Sequence, residues 1–107
     1  VKKIAAVAES FHQRILPHHF LGPIANMALA HIATATPNWD MNEFIPESGT
    51  FKADIVTNIT DMKDGYFTPS DAPGLGIDLN IDEMLKHPYE AGGGETSRRS
   101  DGSLTLG

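Results

Sequence analysis

Arg14-Ile15-Leu16-Pro17-His18-His19-Phe20-Leu21-Gly22-Pro23-Ile24-Ala25 is the stretch that decides how this chain folds. Its apolar start is too short for a helix and ends at Pro17, so residues 14–17 read as a buried strand. His18, His19 and Phe20 follow as a loop. Gly22-Pro23 then opens a helix, with the proline in the first turn, where a missing N–H costs nothing. The inner stripe of that helix is predicted to be Ile24, Met27, Ala28, His31, Ile32 and Ala35, and Thr36-Pro37-Asn38 stops it. Upstream, Ile4, Val7, Ala8 and Phe11 stand at i, i+3, i+4 and i+7, which predicts an amphipathic helix over residues 1–12. Downstream, residues 39–44 form a second short strand candidate. Helix, strand, helix, strand with short connections is the signature of βα units on a parallel sheet. Two parallel strands need both faces covered, so the first half reads as a slice of a larger α/β structure.

The pattern changes after residue 46. Residues 46–63 show little periodicity apart from a possible short helix around Ile55 to Ile59. Asp64-Gly65 is a turn signal between Met62 and Tyr66-Phe67. Pro69 to Gly76 is coil, Ile77-Asp78-Leu79 alternates like a strand end, and Asp82 can cap a short helix, Glu83 to Lys86, stopped by Pro88. Residues 1–46 are therefore expected to hold the last helices and strands of the α/β slice, 47–90 a tail segment, and 91–107 a flexible glycine-rich tail.

The 107 residues are 40% apolar, 21% charged and 7% aromatic, an ordinary globular composition. The longest apolar stretches fall well short of the ~20 residues a bilayer span needs. Cysteine is absent, which removes disulfides, thiolate metal sites and a cysteine nucleophile and suits a reducing compartment; a cytoplasmic location is expected. The net charge is −6, divided as +2 over residues 1–36 and −8 over residues 37–107. An acidic chain without a basic stripe is a poor ligand for nucleic acid or an anionic membrane, and neither partner is expected. The opening Val1-Lys2-Lys3-Ile4 runs straight into a helical pattern, has no signal-peptide form, and reads as a chain entered in mid-fold.

His18-His19 lies just past the carboxyl end of the first strand candidate and Glu43 near the end of the second. Parallel sheets carry their active-site loops at that end. Adjacent side chains diverge at a strand end, so only one histidine of the pair can point into a pocket with Glu43. A histidine there can serve as acid or base near neutral pH, and a carboxyl in a closed pocket can stay protonated and donate to an oxyanion. By spacing alone the signal is weak, and structural hydrogen bonds among loop residues account for these residues better. A zinc site is disfavoured by the divergence of the two rings. His31 and Trp39 read as packing residues, Asp40 and Glu47 as solvated or capping, and Gly74-Leu75-Gly76 as a loop with no strand-to-helix turn behind it.

The segment from Leu16 to Ala25 resembles the seventh-strand segment of acid-sugar dehydratases in the enolase superfamily, mandelate racemase subgroup, galactonate dehydratases in particular. The resemblance continues through Thr36-Pro37-Asn38 and Glu43, resumes at Asp64-Gly65-Tyr66 and Pro73-Gly74-Leu75-Gly76-Ile77, and ends at Arg98-Arg99-Ser100-Asp101-Gly102-Ser103. It implies an α/β fold: the C-terminal fragment of a (β/α)7β modified TIM barrel, its last two βα units, plus a tail that packs on a capping domain. It also implies chemistry. The family binds a sugar acid carboxylate on Mg²⁺, removes the neighbouring proton, and expels a β-hydroxyl as water through an enediolate. His18 aligns with the general base and Glu43 with the glutamate that hydrogen-bonds the enediolate; His19 is a candidate substrate contact.

Departures from the family pattern touch the pocket. His19-Phe20 stands where a small residue and a proline are usual after the base, and Asn42 precedes Glu43 where glutamine is frequent. The resemblance places the three Mg²⁺ carboxylates, the aspartate that orients the base and the second acid/base group upstream, so no metal ligand is expected in this chain. The implied partner is a small-molecule sugar acid, and the full-length protein is expected to be a homo-oligomer. Racemisation or epimerisation on the same scaffold and a non-catalytic truncated fragment stand as alternative readings.

Overall fold

The structure, a computed structural model, describes residues 1–59, 62–90 and 100–103. Helix α1 spans Lys2–Ser10, α2 Pro23–Thr34 and α3 Phe51–Asp54; β1 is Val56–Thr57, β2 Asp78–Leu79, and α4 Ile81–Met84. Helix α1 ends as a Schellman motif. His12 takes a left-handed φ of 55°, its N–H donates to the Glu9 carbonyl and the Gln13 N–H to that of Ala8, both at 2.9 Å. That reversal sends Arg14–Pro17 back beside the helix.

The two predicted strands meet, but only at one point. Ile15 and Trp39 form a parallel bridge in which the Ile15 N–H donates to Asn38 and the Asp40 N–H to Ile15, both at 3.0 Å. Arg14 and Asp40 close the exposed side of the bridge with an ion pair at 2.6 Å. Pro17 removes the next donor and no further parallel partner lies alongside among the described residues, so the pairing does not extend. Asn38 fastens the arrangement to α1: its side-chain amide donates to the carbonyls of Ala5 and Gln13, each at 2.9 Å. Lys2 reaches across from α1 to the carbonyl of Ala35.

Helix α2 buries Pro23, Asn26, Met27 and Ala30, a stripe rotated from the predicted one, of which Met27 alone is shared. The rotation has a polar cause. Asn26 finds a buried partner in His19 at 2.6 Å, so it can turn inward, while Ile24 is left 43% exposed. On α1 only Ala5 is buried; Ile4, Val7 and Phe11, the predicted apolar face, are exposed because no described element of the chain covers them.

The tail departs from prediction in two details. The short helix sits at α3, ahead of Ile55, and the residues beyond it enter β1, which pairs antiparallel with β2 through Val56↔Leu79 and Thr57↔Asp78. Asn80, not Asp82, caps α4, accepting from the Glu83 N–H at 3.2 Å, because the helix begins one residue before Asp82. The Asp64-Gly65 turn forms as predicted: both residues have positive φ, 52° and 81°, and Lys63 and Tyr66 bond each other across it at 2.8 Å. Ahead of β2, Gly76 is buried with φ 75°, and a Cβ there would lie 2.4 Å from the Ser70 Cβ. The predicted glycine-rich tail at 91–107, including Arg98-Arg99, lies outside the described residues except for 100–103.

Replacing Asn38 by alanine removes both side-chain hydrogen bonds at the joint between α1 and the bridge. In the full-length protein Asn38→Ala is expected to cost about 1–3 kcal/mol, read as a lower urea midpoint at unchanged slope.

Candidate active site

The parallel bridge sets the site. Ile15 and Trp39 are in register, so the chain positions just beyond each emerge at the same end. His18 follows Ile15 and Glu43 follows Trp39, and the two meet there: His18 Nδ1 lies 2.6 Å from Glu43 Oε2. The Trp39 indole N–H donates to the Asn42 side-chain oxygen at 2.9 Å and tightens the turn that delivers Glu43.

The two histidines diverge as expected. The His18 side chain is 75% exposed, with the Phe20 ring tilted against it at 5.0 Å between centroids. His19 is 5% exposed, and its Nε2 bonds the side-chain oxygen of Asn26 on α2 at 2.6 Å. The His19 backbone N–H faces the other way and donates to Glu43 Oε2 at 2.6 Å. One carboxylate oxygen thus takes both partners, the His19 amide and the His18 ring.

Both contacts favour the ionised carboxylate. The His19 N–H, and after it the charge and hydrogen bond of His18, hold the Glu43 carboxyl below its ordinary value of 4.5; desolvation opposes them without prevailing. An ionised carboxylate only accepts. Nδ1 of His18 therefore carries the proton toward Glu43, and in the neutral ring Nε2 holds the lone pair on the open side. A histidine base beside a carboxylate is what this arrangement can supply.

A metal does not fit these residues. Among the described residues no three His, Cys, Asp or Glu side chains converge, and His18 and Glu43 are turned on each other. Mg²⁺ requires a near-octahedral oxygen set, which this pair does not offer.

The other candidates fall into place as structure. Asp40 pairs with Arg14, and Trp39 is half-buried. His31 is half-buried, with an Nε2 that has no partner among the described residues. Glu47 corrects the expectation of a solvated or capping residue. It is 3% exposed in a small cavity lined by Pro23, Asn26, Met27 and Phe44, with Lys52 at 3.8 Å, because the chain after 46 folds back over α2. The sequence reading missed Asn26 and the His19 amide. A polar residue in the apolar run of α2, one turn after the Gly-Pro start, is the signal that pointed to Asn26.

Residues 1–84 match the family described as enolase C-terminal domain-like. The chain belongs to that family. A D-galactonate dehydratase family member from Streptomyces bingchenggensis is 32% identical over 107 residues, 98% of this chain and 26% of that protein. The crystal structure of a mandelate racemase/muconate lactonizing enzyme from Jannaschia sp. CCS1 superposes with a TM-score of 0.73 at 35% identity, covering 82% of this chain and 22% of that one. An enolase from Pantoea ananatis, solved with D-gluconate and Mg, superposes at 0.75 with 30% identity, covering 84% and 22%. The fold is thus the enolase C-terminal domain-like fold, the barrel part of the mandelate racemase neighbours, and the chain spans about a quarter of the length of the relatives it matches. These relatives bear the names of enolase-superfamily enzymes. No helix among the described residues is long and apolar enough to cross a membrane.

The lowered Glu43 value has a consequence for stability. The ionised carboxylate's contribution is fully present above its unfolded value near 4.5 and is lost as pH falls through the lower folded value. The stability difference between the native protein and Glu43→Gln, followed by chemical denaturation from about pH 6 to about pH 3, is expected to be largest at the upper end and to shrink below about pH 4.5.

Proposed function

We propose that this chain supplies the base-bearing corner of an acid-sugar dehydratase whose remaining site residues lie outside it. The observation that carries the reading is the 2.6 Å contact of His18 Nδ1 with Glu43 Oε2 at the paired ends of two parallel segments, with Nε2 left open. The names of the dehydratase relatives and the gluconate and Mg of the Pantoea ananatis structure support the substrate class.

In this reading His18 Nε2 takes the proton from the carbon beside a sugar acid carboxylate. The electron pair left behind forms the enediolate and then expels hydroxide from the β-carbon; the abstracted proton and that hydroxide together make up the water lost. Such a C–H is a very weak acid, so the developing charge needs a partner at the carboxylate. Mg²⁺ is the group the family resemblance assigns to that task, and by the same resemblance the residues that would hold it lie outside this chain.

Glu43 keeps the role the resemblance implies, beside the developing enediolate. A donor there must be protonated; the His19 N–H opposes that, and the charge that develops on the enediolate favours it. The resemblance places the aspartate that orients the base upstream, so the contact with His18 does not give Glu43 that task. The expected contact of His19 with substrate is not retained, since its ring is buried against Asn26; His19 acts through its backbone amide. A homo-oligomeric, cytoplasmic enzyme acting on a small-molecule sugar acid, with neither nucleic acid nor membrane as partner, completes the proposal.

The test uses the full-length protein, Mg²⁺ and a panel of aldonic acids in heavy water. Dehydration to a keto-deoxy acid is expected, with deuterium on the β-carbon where the enol is reprotonated, and His18→Asn should abolish both turnover and any exchange at the α-carbon of recovered substrate. Deuterium entry with inversion and no loss of water would establish the racemase or epimerase reading instead, and no reaction with any acid would sink the proposal.

Glu43 has its own discriminating pair of variants. Glu43→Gln keeps a donor and is expected to retain part of the activity, whereas Glu43→Ala should lose turnover by about 10²–10³-fold. Equal turnover in the two variants, both near wild type, would make Glu43 a structural residue.

A further inference from the structure

His18 and Phe20 lie on one side of the chain and His19 on the other. The rings of His18 and Phe20 meet at 5.0 Å between centroids with their planes tilted by 54°. The His19 ring turns to α2 and is buried against the Asn26 side chain at 2.6 Å. Alternate residues of an extended segment share a side, so the contact between residues 18 and 20 is built by the chain itself and needs no other element to complete it. Tilted rings at this distance attract, because the positive edge of one approaches the negative face of the other. With Glu43 Oε2 at 2.6 Å from Nδ1, the imidazole has a carboxylate on one edge and a phenyl ring beside it. Phe20 is also one of the residues at which the chain departs from the family pattern next to the base.

We propose that Phe20 is a specificity-determining residue: its ring forms the apolar wall of the pocket beside the base, and the sugar acid that fits is one that turns the C–H, not the hydroxyl, of its γ-carbon to that wall. This rests on His18 as the base and adds the part of the substrate that Phe20 meets. The carbon that Nε2 deprotonates must come within about 3–3.5 Å of it, so the carbon chain of the acid is drawn in beside the same imidazole that Phe20 touches. The carboxylate and the α-carbon are committed to the reaction. The β-hydroxyl needs a proton as it leaves, and a phenyl ring has none to give, so the β-hydroxyl is not the group that faces Phe20. The first carbon whose configuration is left to be read is the γ-carbon. A hydroxyl pressed against a phenyl ring loses its water partner and gains no comparable hydrogen bond in return, whereas a C–H is buried there at no such cost.

The experiment uses the full-length protein with Mg²⁺ and aldonic acids taken as pairs of γ-epimers, D-gluconate with D-galactonate and D-mannonate with D-talonate. For the pair that reacts, kcat/KM is expected to differ by about 10–100-fold between the epimers, the scale on which an apolar wall rejects a hydroxyl. Phe20→Ser puts a hydroxyl and room for water in place of the ring. It should shrink the epimer ratio by at least about fivefold, through a gain in kcat/KM for the disfavoured epimer. Phe20→Leu keeps the wall apolar and should keep the ratio, whatever it does to the rates. A residue that merely stabilised the fold would lower the melting temperature and leave the ratio in place.

Should Phe20→Ser fail to fold, Phe20→Gln, polar and nearer the ring in size, is read in the same way. A ratio near one in the wild type, or a ratio left unchanged by a folded polar variant, would overturn the inference; an equal loss of turnover on both epimers belongs to the second case and would make Phe20 a support of the His18 ring. Loss of the ratio in Phe20→Leu as complete as in Phe20→Ser would overturn it too, since the shape of the ring and not its polarity would then be what the acid meets. The control separates this from failure of the underlying reading. If His18→Asn abolishes turnover while the Phe20 variants keep the wild-type ratio, the specificity inference alone falls; if His18→Asn retains turnover, the proposed base falls and the inference with it.

Discussion

A single parallel pairing, Ile15 beside Trp39, is the constraint on which the geometry depends. Remove it and the two loops that carry His18 and Glu43 have no reason to be neighbours, since they are separated by the whole of α2. One bridge is a slight feature, and it is reinforced from three directions: Asn38 ties it to α1, Arg14 pairs with Asp40 on its open side, and the Trp39 indole ties down the turn leading to Glu43. The helices are the scaffold that makes so short a pairing sufficient. The Schellman reversal at His12 launches the first segment and the stop at Thr36-Pro37 launches the second, so both start from fixed places.

The distribution of apolar surface follows from the same architecture. Ile4 and Val7 on α1 and Phe11 at its end are 63–71% exposed, and Leu16, Phe20, Leu21 and Ile24 are exposed as well. Burial of such side chains is the main driving force of folding, and a chain of this length seldom leaves a whole helical stripe uncovered. The relatives explain the excess, because the chain spans about a quarter of their length. In barrels of this family the helices lie outside a closed sheet, and each βα unit completes the surface of its neighbours.

Much of this was legible in the residues, and the parts that were not have a common cause. Helix boundaries were readable because Gly22-Pro23 and Thr36-Pro37 act through local sterics, and the Asp64-Gly65 hairpin because only residues tolerant of positive φ fit there. The meeting of His18 with Glu43 was foreseen from strand ends and from the family resemblance, and the divergence of His18 from His19 from the alternation of side chains. The inner stripe of α2 was misread because hydropathy ranks Asn26 as an outside residue, whereas a partner seven positions earlier in the chain makes its burial acceptable. Glu47 was misread for the same reason: its environment comes from residues folded back over α2, not from its own segment. The largest cause of the lowered Glu43 value is one backbone N–H, and no side-chain pattern announces where a peptide group points.

Gly76 gives the tail something its own pairing lacks. Two residues facing two residues, as in β1 and β2, contain almost no information about register, since a slip by two positions would satisfy the same groups. The loop from Pro69 closes on itself before β2 begins: Ser70 accepts from the Ala72 N–H, Gly76 bonds back to Pro73, and Gly76 presses so near Ser70 that no side chain fits between them. The closed loop works as a ruler. It consumes a fixed length of chain and delivers Asp78 and Leu79, rather than their neighbours, to Thr57 and Val56. A methyl group at residue 76 would meet Ser70 and force that closed loop open, removing the fixed spacing that leads into β2 and Asn80.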